Sequence, residues 1–169
     1  MVPGEFELRP AEPRDYSAMA AITIAGFATY RSFAPTGWEP WLPTAEETAE
    51  RFGAEGAWAA VAEAGGAVVG VGGYVPGREG RDGPLISGLA HIAAVFVDEA
   101  WWGRGVATAL LAALIEHMRG AGYREARLYT PVGQGRARAF YRREGWREVA
   151  GPLPGGELGL DIMELRRAL

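Results

Sequence analysis

The chain has no cysteine among its 169 residues. That one absence excludes disulfides, thiolate metal sites and a cysteine nucleophile together. Histidine is scarce as well: His91 and His117 are the only two, so a histidine-rich metal site is excluded and no metal is expected. An excess of positive charge is also missing. The formal net charge is −4 and the pI is near 5.3, which gives no broad electrostatic footprint for nucleic acid. Long apolar runs are lacking. Nothing reaches the roughly 18 uninterrupted apolar residues of a membrane span, and the opening MVPGEFELRP has no leader-like apolar core. These features lead us to expect a cytoplasmic protein with neither nucleic-acid nor membrane partners.

What is present is ordinary for a folded protein: 49% hydrophobic and 22% charged residues. The length suits one domain over residues 1–169, with a core of useful size. No repeat, low-complexity segment or dividing linker interrupts it.

One stretch organises the rest, HIAAVFVDEAWWGRGVATALLAALIEHM, from His91 to Met118. HIAAVFV is short, apolar and β-rich, and reads as a buried strand. From Val106 onward the apolar residues Leu110, Leu111, Leu114, Ile115 and Met118 fall on one stripe of a helix. Gly103 and Gly105 stand where the backbone swings from strand to helix. A helix start leaves about four N–H groups without partners and carries a positive partial charge. Glycines there let an anion approach the main chain. The turn is therefore either a phosphate cradle or simply a turn.

Taken in order, Glu5–Arg9 alternates as a first strand, and Asp15 precedes a helix carrying Met19, Ile22, Ala25 and Phe27. Residues 28–43 are irregular, with three prolines and with Tyr30, Phe33, Trp38 and Trp41. These aromatics either close over a small ligand or pin the loop to the core. Thr44 and Glu47 have capping-box spacing for a short helix. Two strands flank Gly65-Gly66 as a hairpin, and Pro76–Gly88 reads as a loop. A strand over Arg124–Thr130, a helix over Arg136–Glu144, a strand over Trp146–Val149 and a last strand over Leu158–Leu165 complete the chain. His117 is expected as a solvated cation at a helix end, and Arg136, Arg138, Arg142, Arg143 and Arg147 as a solvated basic face. The element order is β-α-α-β-β-β-α-β-α-β-β. It predicts an α/β (α+β) fold with a mixed central sheet flanked by helices.

WGRGVAT lacks the lysine of a Walker loop, and its glycines match only part of the dinucleotide pattern G-x-G-x-x-G. Val97–Leu111, VDEAWWGRGVATALL, resembles motif A of the GNAT N-acetyltransferases. Trp102 stands where that motif usually has Arg or Gln, followed by Gly103, Arg104, Gly105, Val106 and Ala107. Gln134–Trp146, QGRARAFYRREGW, resembles motif B, with Gln134 in place of Asn and with Tyr141, Gly145 and Trp146 matching.

The resemblance implies a mostly antiparallel sheet and transfer of an acetyl group from acetyl-CoA to an amine by direct attack. It places the pyrophosphate on the amides of Gly103, Arg104, Gly105, Val106, Ala107 and Thr108, with Trp102 and Gln134 beside them. It places the pantetheine arm along Val95, Phe96 and Val97, and it leaves open that some arginines of the 136–147 basic run meet the 3′-phosphate of CoA. It implies Tyr141 as general acid and puts His91 where many members carry a glutamate base. It points to Phe27–Pro43 for the acceptor, hence Tyr30, Trp38, Glu39 and Trp41, aromatic walls with a carboxylate that suit a cationic amine. The amine could belong to a small molecule or a peptide, and family members often pair as homodimers. Two alternatives are a non-catalytic acyl-CoA sensor on the same fold and a nicotinamide-dinucleotide oxidoreductase.

Overall fold

A computed structural model describes residues 5–169; residues 1–4, part of the segment read as lacking a leader, lie outside it. The elements run β1 (Glu7–Pro10), α1 (Tyr16–Ala28), α2 (Ala45–Phe52), β2 (Trp58–Ala64), β3 (Ala67–Arg78), β4 (Leu85–Val97), α3 (Val106–Gly120), β5 (Glu125–Pro131), α4 (Gly135–Arg143), β6 (Arg147–Leu153) and β7 (Ile162–Ala168). This is the expected order. All seven strands join one sheet in the order β1-β2-β3-β4-β5-β7-β6. Only β4 and β5 pair in parallel; every other neighbouring pair is antiparallel. The sheet is thus not the doubly wound parallel sheet of a dinucleotide fold.

Period-two alternation on β2 sorts the two faces. Ala60, Ala62 and Ala64 pack with Val106 and Leu110 of α3, whereas Ala59 and Val61 pack with Met19 of α1. The α3 stripe is fully used: Val106, Leu110, Leu111, Leu114, Ile115 and Met118 are all buried. Each such large side chain contributes roughly 1.5–3 kcal/mol by leaving water. The helix lies close to the sheet because β3 has no side chains beneath it at two points. A Cβ on Gly70 would stand 2.9 Å from Val106 Cγ1, and one on Gly72 would stand 3.2 Å from Leu114 Cδ1.

Thr44 caps α2 by accepting from the Glu47 amide at 3.0 Å, and the Gly65-Gly66 hairpin forms. Three expectations are corrected. Pro76–Gly88 is not one loop: β3 continues to Arg78 and β4 starts at Leu85. Turn residues there lost to tertiary pairing. The last strand begins at Ile162, because Leu158 belongs to a 3-10 turn closed by Gly159 at φ 69°. His117 is not merely solvated: its ring stacks on Trp58 at 3.9 Å and its Nδ1 meets the Tyr74 hydroxyl at 2.8 Å.

Candidate active site

The glycine turn adopts the geometry that only glycine takes without strain. Gly103 and Gly105 have φ of 76° and 83°, and an added Cβ on either would meet no atom within 4 Å. The first α3 amide with an acceptor is that of Ala109, bonded to the Gly105 carbonyl at 3.0 Å. Among the described residues, none of the amides from Gly103 to Thr108 donates to a protein acceptor, and no side chain caps the helix. A run of unpartnered N–H groups at the positive end of a 15-residue helix has the donor set for a phosphate anion. The Trp102 indole folds back and donates to the Val97 carbonyl at 2.9 Å, and the Arg136 guanidinium lies 4.1 Å over its ring.

The strand leading into this turn is bent. Between Gly73 and Tyr74 of β3, β4 carries one extra residue, Ala93, a β-bulge. The parallel pairing of β4 with β5 ends at Ile92 and Leu128, so Ala93–Val97 and Tyr129–Pro131 diverge. The wedge between them is a solvent-accessible cavity of about 690 Å³. Val95, Phe96 and Val97 form one wall, and Trp102, Gly103, Gly105, Val106, Ala107 and Thr108 border it. Gln134, just before α4, and Tyr141 on α4 face it, as does Tyr30 from the segment after α1. Amides and strand wall therefore share one space, although Arg104 is not on its lining.

Tyr141 is 8% exposed. Among the described residues its hydroxyl has no hydrogen-bond partner, and it is not sealed off from the cavity. Burial, and then the nearby Tyr30 hydroxyl, push its pKa well above the ordinary phenol value. Tyr30, buried too, is raised to about 12. Both therefore stay protonated through the physiological range.

His91 is placed differently from the expectation. It is absent from the cavity wall, which begins with Ile92. Arg127 Nε donates to its Nδ1 at 3.1 Å. That fixes the imidazole proton on Nε2 and occupies the lone pair a base would use. Burial first, then the Arg127, Arg51 and Arg166 charges, lower its pKa to about 3. This geometry does not suit a base that collects a proton from an amine.

The expected acceptor residues divide. Trp38 holds its loop down by donating to the Leu158 carbonyl at 2.7 Å. Trp41 packs on Phe27, with the Arg51 guanidinium 5.0 Å over its ring. Glu39 is 80% exposed on its side chain, bridges Arg31 at 3.2 Å and stands off the cavity wall. The expected basic face divides as well: Arg136 and Arg143 line the cavity, whereas Arg138 grips Glu148 at 2.8 and 3.0 Å. Two arginines escaped the sequence reading. Arg51 of α2 lines the cavity, and Arg127 of β5 is 4% exposed with no carboxylate partner among the described residues. A charge on a short helix and a charge in a strand give no signal of their own.

The model of the Acetyltransferase (GNAT) family matches residues 14–146. The chain belongs to this family and is an acyltransferase. No curated protein matches the sequence. Solved structures with the same fold include a ribosomal-protein-alanine N-acetyltransferase from Brucella melitensis, with 24% identity and TM-score 0.77 over 96% of this chain and 99% of that one. PaiA N-acetyltransferase from Thermoplasma acidophilum, in complex with coenzyme A, has 14% identity and TM-score 0.77 over 98% and 99%. A GCN5-related N-acetyltransferase from Kribbella flavida has 22% identity and TM-score 0.73 over 99% of each chain.

Proposed function

We propose that this protein transfers the acetyl group of acetyl-CoA to a primary amine by direct attack. The observation that carries this reading is the run of unpartnered amides from Gly103 to Thr108 opening into the wedge where β4 leaves β5. Those amides would hold the pyrophosphate, with Trp102, Arg136 and Gln134 at the same end. The main chain of Val95–Val97 has no strand on its β5 side and would pair with the pantetheine arm. When bound, acetyl-CoA supplies an acetyl group activated as a thioester.

The chain's own residues then have three tasks. An N–H of the freed β4 edge faces the carbonyl that gains negative charge. Tyr141 Oη donates a hydrogen bond to the departing sulfur. The Tyr141 phenol, raised above its ordinary value near 10, would give its proton still further uphill to a thiolate near 8.5, so Tyr141 assists departure by its hydrogen bond rather than driving it. The open cavity passes the amine proton to water, because no carboxylate of the described residues lines it and the His91 lone pair is taken by Arg127. The positive charge of Arg51 on the cavity wall also disfavours the ammonium form.

Thermal shift and thiol release test this reading. Ligand at about 100 times its Kd adds roughly 2.7 kcal/mol, or about 5–11 °C in Tm for a chain of this size. Acetyl-CoA should stabilise, NAD should not, and CoA thiol should appear with an amine panel. No shift with acetyl-CoA overturns the reading. Binding that never leads to thiol release leaves the sensor alternative in its place.

A further inference from the structure

The charge on the cavity wall has one sign. Arg51, Arg136 and Arg143 line it, and among the described residues no aspartate or glutamate does. Four other carboxylates are engaged elsewhere: Glu39 with Arg31, Glu157 with Arg81, Glu164 with Arg166 and Glu148 with Arg138. Arg136 and Arg143 come from α4, on the side read above as the coenzyme's. Arg51 comes from α2, on the other side, and with Trp41, Phe27 and the Glu47 carboxylate one turn earlier on the same helix it borders the side pocket against Ala93 and Ala94 at the β4 bulge. Its guanidinium rests on the Trp41 ring and has no carboxylate within 4 Å among the described residues. Arg127, in no salt bridge among the described residues, adds positive charge behind this wall beside His91, whereas the charge of Arg166 is offset by Glu125 and Glu164.

A free guanidinium beside the bulge presents a planar fork that matches an oxyanion. Glu47 borders the side pocket but not the main cavity wall, where a polyamine's second ammonium would meet guanidinium charges and no carboxylate of the described residues. This reverses the expectation of a cationic acceptor held by Glu39. We propose that the acceptor is a small primary amine carrying its own carboxylate, an amino acid or amino-acid analogue, and that Arg51 binds this carboxylate. The inference rests on the acetyl-CoA reading above and narrows its acceptor.

The test is a panel of amino acids, each paired with its own carboxamide and compared at equal free-amine concentration by CoA release. Each pair keeps the side chain and the nucleophile and differs only in the charge. A charge-assisted contact predicts kcat/KM at least roughly tenfold higher for the acid than for the amide in the pairs that react. Arg51→Gln should collapse that ratio toward one through KM for the acid, and Arg51→Lys should restore part of it. An unchanged KM for acetyl-CoA and an unchanged Tm show that the variants are folded. Amides that react as well as acids, or an acid preference that survives Arg51→Gln, overturn the inference while leaving the acetyl-transfer reading standing. So does acetyl-CoA binding with release from no carboxylate-bearing amine. Absence of acetyl-CoA binding removes both.

Discussion

Arg127 Nε donates a 3.1 Å hydrogen bond to Nδ1 of His91, its direct partner across the β4–β5 pairing. A guanidinium is a permanent donor, so this contact holds only while the imidazole is neutral. The stability consequence has a definite sign. His91 falls from 6.5 in the unfolded chain to about 3 in the fold. Its contribution is fully present above about pH 6.5 and is lost as pH falls toward 3. Wild-type Tm should decline through this window, by up to roughly 3–6 °C per pH unit for one proton taken up on unfolding. His91→Asn, whose Oδ1 can still accept from Arg127, should flatten that decline. It should also leave the pH–rate profile unchanged in shape. A profile that loses an ionisation near neutrality in His91→Asn would restore the histidine as base.

Tyr141 offers a cleaner separation of function from stability. Its hydroxyl has no protein hydrogen bond to lose, so Tyr141→Phe should leave Tm within about 2 °C, as expected for a small change without a broken contact. Turnover should fall by about tenfold or more if the hydroxyl assists the leaving sulfur. Because the Tyr141 pKa lies above the ordinary phenol value, wild-type kcat should show no loss of acid assistance up to about pH 10. Full turnover in the variant, with chemistry shown to be rate-limiting, removes the role.

Gly105 tests the amide cradle. Its φ of 83° penalises any L side chain, yet a Cβ there meets no atom of the protein. Gly105→Ala should therefore lower stability by only about 1–2 kcal/mol, the strain of the left-handed region. Its methyl group would stand in the approach to the amides, so KM for acetyl-CoA should rise by more than that strain explains, roughly tenfold or more. Equal KM for wild type and variant would mean that the diphosphate lies elsewhere.

Asp15 controls a different property, the entry into α1. The carboxylate takes a bidentate contact from Arg9 at 2.7 and 2.9 Å and one from the Glu12 amide at 2.8 Å. It is 4% exposed. The Arg9 hydrogen bonds, against the opposing effect of burial, hold its pKa below 3.8. This stabilisation is present above about pH 4 and is lost as pH falls through the lower folded value. Asp15→Ala should cost about 2–3 kcal/mol, read as roughly 4–12 °C in Tm, with KM for acetyl-CoA unaffected. A loss below about 0.5 kcal/mol would show a pair that water already satisfies.

Much of this molecule was legible before folding because local chemistry and tertiary demand agreed. The stripe from Val106 to Met118 predicted one buried helix face, and each of its residues is buried. Thr44 with Glu47 predicted the start of α2, and the Thr44 oxygen caps it. Gly65-Gly66 predicted the hairpin between β2 and β3. Where local signals and sheet pairing conflicted, pairing won: Pro76 and Gly88 sit inside strands despite their turn chemistry.

The sequence by itself determined the elements, their order and the turn whose glycines expose a row of amides, because period and backbone freedom are properties of neighbours along the chain. Only the tertiary structure decided what the charged side chains do. Glu39, placed among aromatics in the sequence, turns outward to Arg31. Arg51, four residues beyond Glu47 on an acidic helix, turns onto the cavity wall. His91 has its lone pair claimed by a residue 36 positions away. Electrostatic roles depend on distance and on exclusion of water, and both are set only when distant segments meet.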